Sequence, residues 1–256
     1  MKNRKIKSIV CGLSLTILTL CFMQGCGNGS GDNEKTLVMA TSLDYPPFEY
    51  SEKGKPKGFD IDVAEALTKE MGYKLKIIDL DFSGLIPSLN AGRADFVMAG
   101  LSVTEEREKN LDFSDEYFGT DKNAIICKVG EEIEGIDALK NKTIGVQKGS
   151  VQDIYLREKA EEVPGLKIHA LGKNPQLIQE LKVGRIDGLM ISEMQAKKFV
   201  DANEGLTYTV LPSEQGGIVI GFKKGSALKD EFNNALNKLK SSGELESIKA
   251  KWFKEE

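Results

Sequence analysis

The chain has 256 residues, 40% hydrophobic and 29% charged, which suits one ordinary globular domain or two small lobes and excludes a disordered or collagen-like polymer. Thirty-five basic side chains against 39 acidic ones give a formal charge of −4, the wrong sign for a nucleic-acid binder that works by neutralising phosphates. The single histidine, His169, and the cysteines at 11, 21, 26 and 127 form no C-x-x-C or H-E-x-x-H arrangement, so neither a metal site nor a cofactor is expected.

Lys2, Arg4, Lys5 and Lys7 are the only charges before Asp32, and they precede an apolar run from Ser8 to Met23. That length fits a signal-peptide core and is short for a membrane span, so residues 1–25 read as an export signal. Cys26 follows Gly25 and precedes the polar stretch Gly27-Asn28-Gly29-Ser30-Gly31. The pattern resembles a bacterial lipobox, in which the cysteine is lipidated and becomes the new N-terminus, although Met23 and Gln24 stand where a leucine and a small residue are more usual. Lipidation at Cys26 would hold the protein on the outer face of a membrane, each buried methylene contributing about 0.8 kcal/mol, with residues 26–35 as a flexible tether. Removing residues 1–25 takes away four positive charges and no negative ones, so the exported chain carries −8. Cys127, in the strand-like Ala124-Ile125-Ile126-Cys127, is then left single and is expected to be buried filler.

In chain order, the spacing predicts a strand over 37–41, a helix over 60–71, a strand over 74–78 and a helix over 84–91. Phe59, Val63, Leu67 and Met71 make an i, i+4 stripe on the first helix, with Asp60 as candidate cap. Then comes Leu89-Asn90-Ala91-Gly92-Arg93-Ala94-Asp95 followed by an apolar run. It recurs 92 residues later as Leu181-Lys182-Val183-Gly184-Arg185-Ile186-Asp187, again before an apolar run. Each copy reads as a helix stopped by glycine, a polar turn and a strand covered on both faces. Around the second copy a strand over 143–146, a helix over 151–161, a strand over 166–170 and a helix over 176–183 complete a second α/β series. The motif alone is ordinary helix-to-strand punctuation; two complete series around it point to two lobes.

Ligands of open α/β sheets bind beyond the carboxyl ends of strands. Gly100 lies five residues past Asp95 and Ser192 five past Asp187, so facing lobes would put them on opposite walls of one cleft. The exported chain spends only four arginines among 31 basic residues. A guanidinium grips a carboxylate with two parallel hydrogen bonds, which lysine cannot reproduce. Arg107, after the loop Gly100-Leu101-Ser102-Val103-Thr104, is thus a candidate carboxylate clamp with Ser102 as a further donor; the alternative is an exposed arginine paired with Glu105 or Glu106. Lys148-Gly149-Ser150-Val151 leads from a strand into a helix, where free N–H groups attract an anion or Ser150 simply caps its own helix.

Tyr45-Pro46-Pro47-Phe48-Glu49, Gly58-Phe59-Asp60-Ile61-Asp62, Phe82-Ser83-Gly84-Leu85, Gly100 through Arg107, Phe113-Ser114-Asp115 and the ending Lys251-Trp252-Phe253 resemble, in order and over residues 36–254, the motifs of family 3 solute-binding proteins that serve polar amino-acid ABC importers. The resemblance implies an α/β type 2 periplasmic-binding fold: two lobes with a central cleft and two hinge crossovers near Gly119-Thr120 and Glu214-Gln215. Lobe 1 would comprise 36–119 plus 216–256, and lobe 2 would comprise 120–215.

By the same resemblance, Arg107 holds the ligand α-carboxylate, helped by Ser102 and the turn Gly149-Ser150-Val151, and the carbonyl of Gly100 receives the α-ammonium. The family usually completes that ammonium site with a carboxylate where this chain has Ser192, so Glu193 is the favoured substitute. Tyr45 and Phe82 match the aromatic plates of the side-chain slot, with Asp44, Glu49 and Asp81 close in sequence as sources of negative charge. A cation over an aromatic face gains about 0.5–2 kcal/mol, so the expected ligand is a cationic amino acid, arginine before lysine or histidine, with glutamine or cystine as alternatives. The implied partners are that amino acid, an ABC permease with its ATPase, and a membrane through the lipid; no nucleic-acid partner is expected, and the protein is expected to be a monomer. The competing class is a cyclohexadienyl dehydratase-like enzyme with Glu193 as general acid; a third is a sensor domain.

Overall fold

The computed structural model describes residues 35–214 and 216–253; the expectations for the export signal, Cys26 and nearly all of the tether lie outside the described residues. In chain order, β1 (Thr36–Thr41) is followed by a small antiparallel sheet of β2 (Asp44–Tyr45), β3 (Glu49–Glu52) and β4 (Lys55–Lys57). Next come α1 (Phe59–Glu70), β5 (Lys74–Asp79), α2 (Leu85–Asn90), β6 (Phe96–Val97), α3 (Glu105–Glu108) and β7 (Leu111–Phe113). The chain crosses to β8 (Lys122–Lys128), β9 (Thr143–Gln147), α4 (Val151–Glu162), β10 (Lys167–Leu171), α5 (Asn174–Lys182), β11 (Gly188–Ser192), α6 (Glu193–Asp201) and β12 (Leu206–Glu214). It then returns to β13 (Gly221–Lys223), α7 (Leu228–Ser242) and α8 (Glu244–Trp252).

Two five-stranded sheets result, ordered β5-β1-β6-β13-β7 and β10-β9-β11-β8-β12. They share one plan. In the first, β1 runs parallel to β5 and β6, and β13 enters antiparallel; in the second, β9 runs parallel to β10 and β11, and β8 enters antiparallel. The predicted stripe of α1 is buried: Phe59, Val63 and Leu67 have no exposure and pack with Phe96, Phe222 and Phe232. In the second lobe Ala124 and Ile126 face one cluster with Leu177 and Leu189, while Ile125 faces another with Ile144 and Met190. Coverage on both faces is why these strands read as unbroken apolar runs. Cys127 is buried in β8.

The repeated motif has one structural job in both lobes. Gly92 and Gly184 take left-handed φ of 68° and 75° to stop α2 and α5, a conformation that only glycine adopts without strain. Three residues on, Asp95 Oδ2 accepts the Val38 N–H and Asp187 Oδ2 accepts the Thr143 N–H, each at 2.7 Å. Each aspartate thereby pins the start of the neighbouring parallel strand. Asp60 behaves differently from expectation. Gly58 is the N-cap of α1, without a side-chain cap, and Asp60 is fully buried one residue inside the helix, its Oδ2 accepting the Gly100 N–H at 3.0 Å.

Asp95→Ala and Asp187→Ala are expected to cost about 1.5–3 kcal/mol each, the range for a hydrogen bond to a charged group. Urea unfolding of the two variants checks this through a lowered midpoint at unchanged m-value.

Candidate functional site at the lobe junction

Two adjacent strands of chain join the lobes. Phe118 and Ser102 both bridge Ile218 antiparallel, and Lys122 at the start of β8 pairs with Glu214 at the end of β12. Among the described residues no helix is long and apolar enough to cross a membrane.

Tyr45 sits where the walls meet. A Cβ on Gly100 would lie 2.9 Å from Tyr45 Cε1, so only glycine lets the first wall approach the ring. Tyr45 OH donates to Ser192 Oγ of the second lobe at 2.8 Å. The two positions matched by the sequence repeat thus lie on either side of one tyrosine, which packs against the cores of both lobes. Burial raises the Tyr45 phenol above its ordinary range, so it stays a donor.

Arg107 is 6% exposed, which removes the exposed ion-pair alternative. Thr104 caps the short α3 by accepting the Arg107 N–H at 3.2 Å. The guanidinium donates Nη1 to Ser102 O at 2.6 Å and Nη2 to Gly149 O of the other lobe at 3.0 Å. It also stands 5.6 Å from the centroid of the Phe82 ring. Burial lowers its pKa to about 10, which leaves the group cationic at neutral pH. The Ser102 hydroxyl faces elsewhere, donating to Gly216 O at 3.0 Å in the second crossover. Ser150 caps α4 by accepting the Asp153 N–H at 3.2 Å and still lines the cavity at the junction, with Val151 beside it.

Phe82 and Arg107 line both of two cavities. One, of about 20 Å³, lies between Tyr45, Gly100, Gln147 and Ser150. That is roughly the room of one water, so an amino acid enters only when the walls part. The other, of about 400 Å³, extends between α2 and α4, with Asp153 and Arg157 at its edge.

The carboxylates expected to serve a ligand are placed as follows. Asp44 reaches across the junction to the start of α5, its Oδ2 accepting the Asn174 N–H at 2.7 Å and Gln147 Nε2 at 3.2 Å, while Oδ1 accepts the Ser42 hydroxyl at 2.9 Å. Burial raises its pKa against these partners. Lys173, one residue before α5, reaches back to Asp79 Oδ1 at 2.7 Å, Leu80 O at 2.8 Å and Ser42 Oγ at 3.2 Å. Together they clasp the lobes. Asp81 is exposed and abuts Gly172, where a Cβ would meet its Oδ2 at 2.5 Å. Glu193 is half-buried at the start of α6.

Glu49 is 1% exposed and is directed at Asp60, behind Gly100. Glu49 Oε2, Asp60 Oδ1 and the Tyr117 hydroxyl are buried without a hydrogen-bond partner, and Tyr117 stands beside Asp60. A proton shared between the two acids would turn Glu49 into a donor. Burial, then the neighbouring Asp60, pushes Glu49 well above the usual carboxyl range, and burial lifts Asp60 to about 6 even as the Gly100 N–H opposes it. Glu49 therefore supports the wall as a neutral acid. Sequence reasoning missed Gln147, Lys173 and Asp121. Asp121 Oδ2 accepts the Met194 N–H of α6 at 3.3 Å.

Two α/β lobes of one plan, joined by paired crossovers and meeting over a buried guanidinium, define a cleft-type solute-binding protein. The chain belongs to the bacterial extracellular solute-binding proteins, family 3, whose model matches residues 37–255. It is 40% identical over 239 residues, 92% of each chain, to the arginine-binding extracellular protein ArtP of Bacillus subtilis. A solved ancestral arginine-binding protein bound to glutamine is 36% identical, with a TM-score of 0.81 over 87% of this chain and 99% of that one. An ancestral amino-acid-binding protein described as a precursor of cyclohexadienyl dehydratase is 32% identical, with a TM-score of 0.75 over 86% and 95%.

Both members of the buried acid pair have folded-state pKa values above their unfolded values, so the native state holds the extra proton. Their contribution to stability is greatest below about pH 4 and declines as pH rises through the Asp60 value near 6 and beyond it toward Glu49. Glu49→Gln is expected to lose less melting temperature than the native chain between pH 5 and pH 8, as followed by calorimetry; equal losses would remove the shared proton.

Proposed function

We propose that this chain captures a polar α-amino acid outside the cytoplasm, arginine ahead of lysine and histidine, and presents it in the closed form to an ABC permease. The observation that carries this reading is Arg107, buried at the junction with one amino group on a carbonyl of each lobe. A carboxylate enclosed at the junction offers this cation stronger, charge-assisted bonds than carbonyls can. Tyr45, Gly100, Ser150, Val151 and Ser192 complete the contact set. Because the ligand touches both walls, it shifts the opening equilibrium by its differential affinity for the closed state.

ArtP favours arginine as the cargo, whereas the relative bound to glutamine keeps a neutral side chain as the second reading. Lys173 supports that second reading, since its ammonium stands beside the acidic Asp44 and Asp79 at the same junction. Capture without chemistry is favoured over dehydration because the deeply buried acids, Glu49 and Asp60, face each other and the remaining candidate, Glu193, is half-exposed. The proposed membrane attachment rests on Cys26; Cys26→Ser would move the protein from the membrane fraction to the soluble one.

Calorimetric titration with the twenty amino acids, cystine and prephenate tests the reading. Tight binding of arginine without turnover is expected, and consumption of prephenate would overturn it. Arg107→Lys is expected to weaken every α-amino acid by about 10- to 100-fold, the equivalent of one charged hydrogen bond.

A further inference from the structure

Lys173 and Asn174 stand at the start of α5 in the second lobe, yet their partners belong to the first. An ammonium has three hydrogens to donate, and Lys173 finds three acceptors there: Asp79 Oδ1 at 2.7 Å, Leu80 O at 2.8 Å and Ser42 Oγ at 3.2 Å. The Asn174 N–H, one of the helix-start donors that has no acceptor within its own helix, goes to Asp44 Oδ2 at 2.7 Å. Ser42 joins the two halves, because its hydroxyl donates to Asp44 Oδ1 at 2.9 Å while its oxygen accepts from Lys173. The bonds therefore close a ring, from the Lys173 ammonium through Ser42 and Asp44 to the Asn174 N–H, one peptide bond from where it began. It crosses the lobe junction twice.

The chain fills this ring by itself. Ser42, Asp44, Asp79 and Lys173 line neither of the two cavities at the junction. Gln147 is the link to the smaller cavity: it lines that space, and its Nε2 donates to Asp44 Oδ2 and to Gly172 O, each at 3.2 Å. Parting the lobes breaks both crossings whether or not a molecule occupies the cleft. Both are charge-assisted, the stronger class of hydrogen bond. The side chains of Lys173 and Asp79 are 21% and 48% exposed, so dissolved salt reaches the pair and weakens it.

We propose that Lys173 is the positioning residue of a latch that works without a ligand: by holding Asp79, Leu80 and Ser42 it biases the free protein toward closure and raises the affinity of every ligand by one common factor. A protein whose closed form is already populated gives up less of its binding free energy to closing. The effect on affinity rests on the amino-acid capture reading, whereas the effect on lobe separation does not.

The test compares the full exported chain with Lys173→Met, which keeps the side-chain stem and removes the ammonium. Small-angle X-ray scattering of the ligand-free proteins should give the variant a larger radius of gyration. Calorimetric titration with L-arginine, L-lysine and L-glutamine should show all three weakened by a similar factor of about ten or more. Rapid-mixing kinetics should place that loss in faster release, with association no slower. Asp79→Asn, which keeps an oxygen for the Leu43 N–H, should open the protein in the same way. The double variant should lose no more than the larger single loss, because the two residues form one contact. Added salt should narrow the gap between the native chain and either variant.

An unchanged radius of gyration in Lys173→Met overturns the latch, and with a lowered melting temperature it marks an ordinary stabilising pair. Expansion with unaltered affinity also overturns it. So does a loss confined to one amino acid, since Lys173 would then touch that ligand's side chain. Should Lys173→Met fold poorly, Asp79→Asn carries the same readings. A native protein that binds none of the three amino acids removes the capture reading and leaves the latch to the scattering, where expansion of the variant supports it and an unchanged radius overturns it.

Discussion

A guanidinium held out of water between two halves of a chain is the constraint around which this molecule is built. Arg107 keeps its charge at 6% exposure because carbonyls from both lobes face it, and a buried ion left without such partners is strongly destabilising. Each neighbour serves that placement. Thr104 fixes the backbone of α3, Phe82 supplies an aromatic face, and Gly149 turns at a φ of 82°, where a side chain would be strained. When the lobes part, the carbonyl of Gly149 leaves and the cation is uncovered on the side from which a carboxylate arrives.

Closure is not carried by the arginine alone. Asp44 and Lys173 exchange positions across the junction, each reaching the opposite lobe near the first turn of α5. The carboxylate meets the partial positive charge of a helix N-terminus, which favours anions. Around these contacts the surfaces are pared down: Gly149 faces Ser83 and Gly172 faces Asp81. The lobes thus meet through direct contacts of the chain with itself as well as through the arginine.

Much of this was legible in the sequence because its signals are local or repeated. The glycine-to-aspartate motif recurs because each sheet needs the same helix stop and the same pin on a parallel strand, and counting five residues onward located both sides of the Tyr45 contact. Arg107 stood out by scarcity and by the loop before it. The errors share one cause. Asp44 and Glu49 are close to Tyr45 along the chain, yet Asp44, its neighbour on β2, points to the opposite face and reaches the far lobe, while Glu49, paired with Tyr45 across the hairpin, is buried beside Asp60. Asp121, Lys173 and Gln147 act through partners about 70 to 130 positions away, and no local pattern announces such pairs. Asp60 had the spacing of a cap and was drawn inside by the Gly100 N–H. The helix expected from residue 176 starts at Asn174 with Pro175 in its first turn, a common helix-start signal.

The two crossovers run side by side, bridged at Phe118 and Ile218 and again at Lys122 and Glu214. A pair of tethers cross-linked in this way bends readily in one plane and resists torsion. A double connection of this kind leaves the lobes fewer ways to turn against each other than a single strand would, so the register of Gly149 over Arg107 does not depend on the arginine alone.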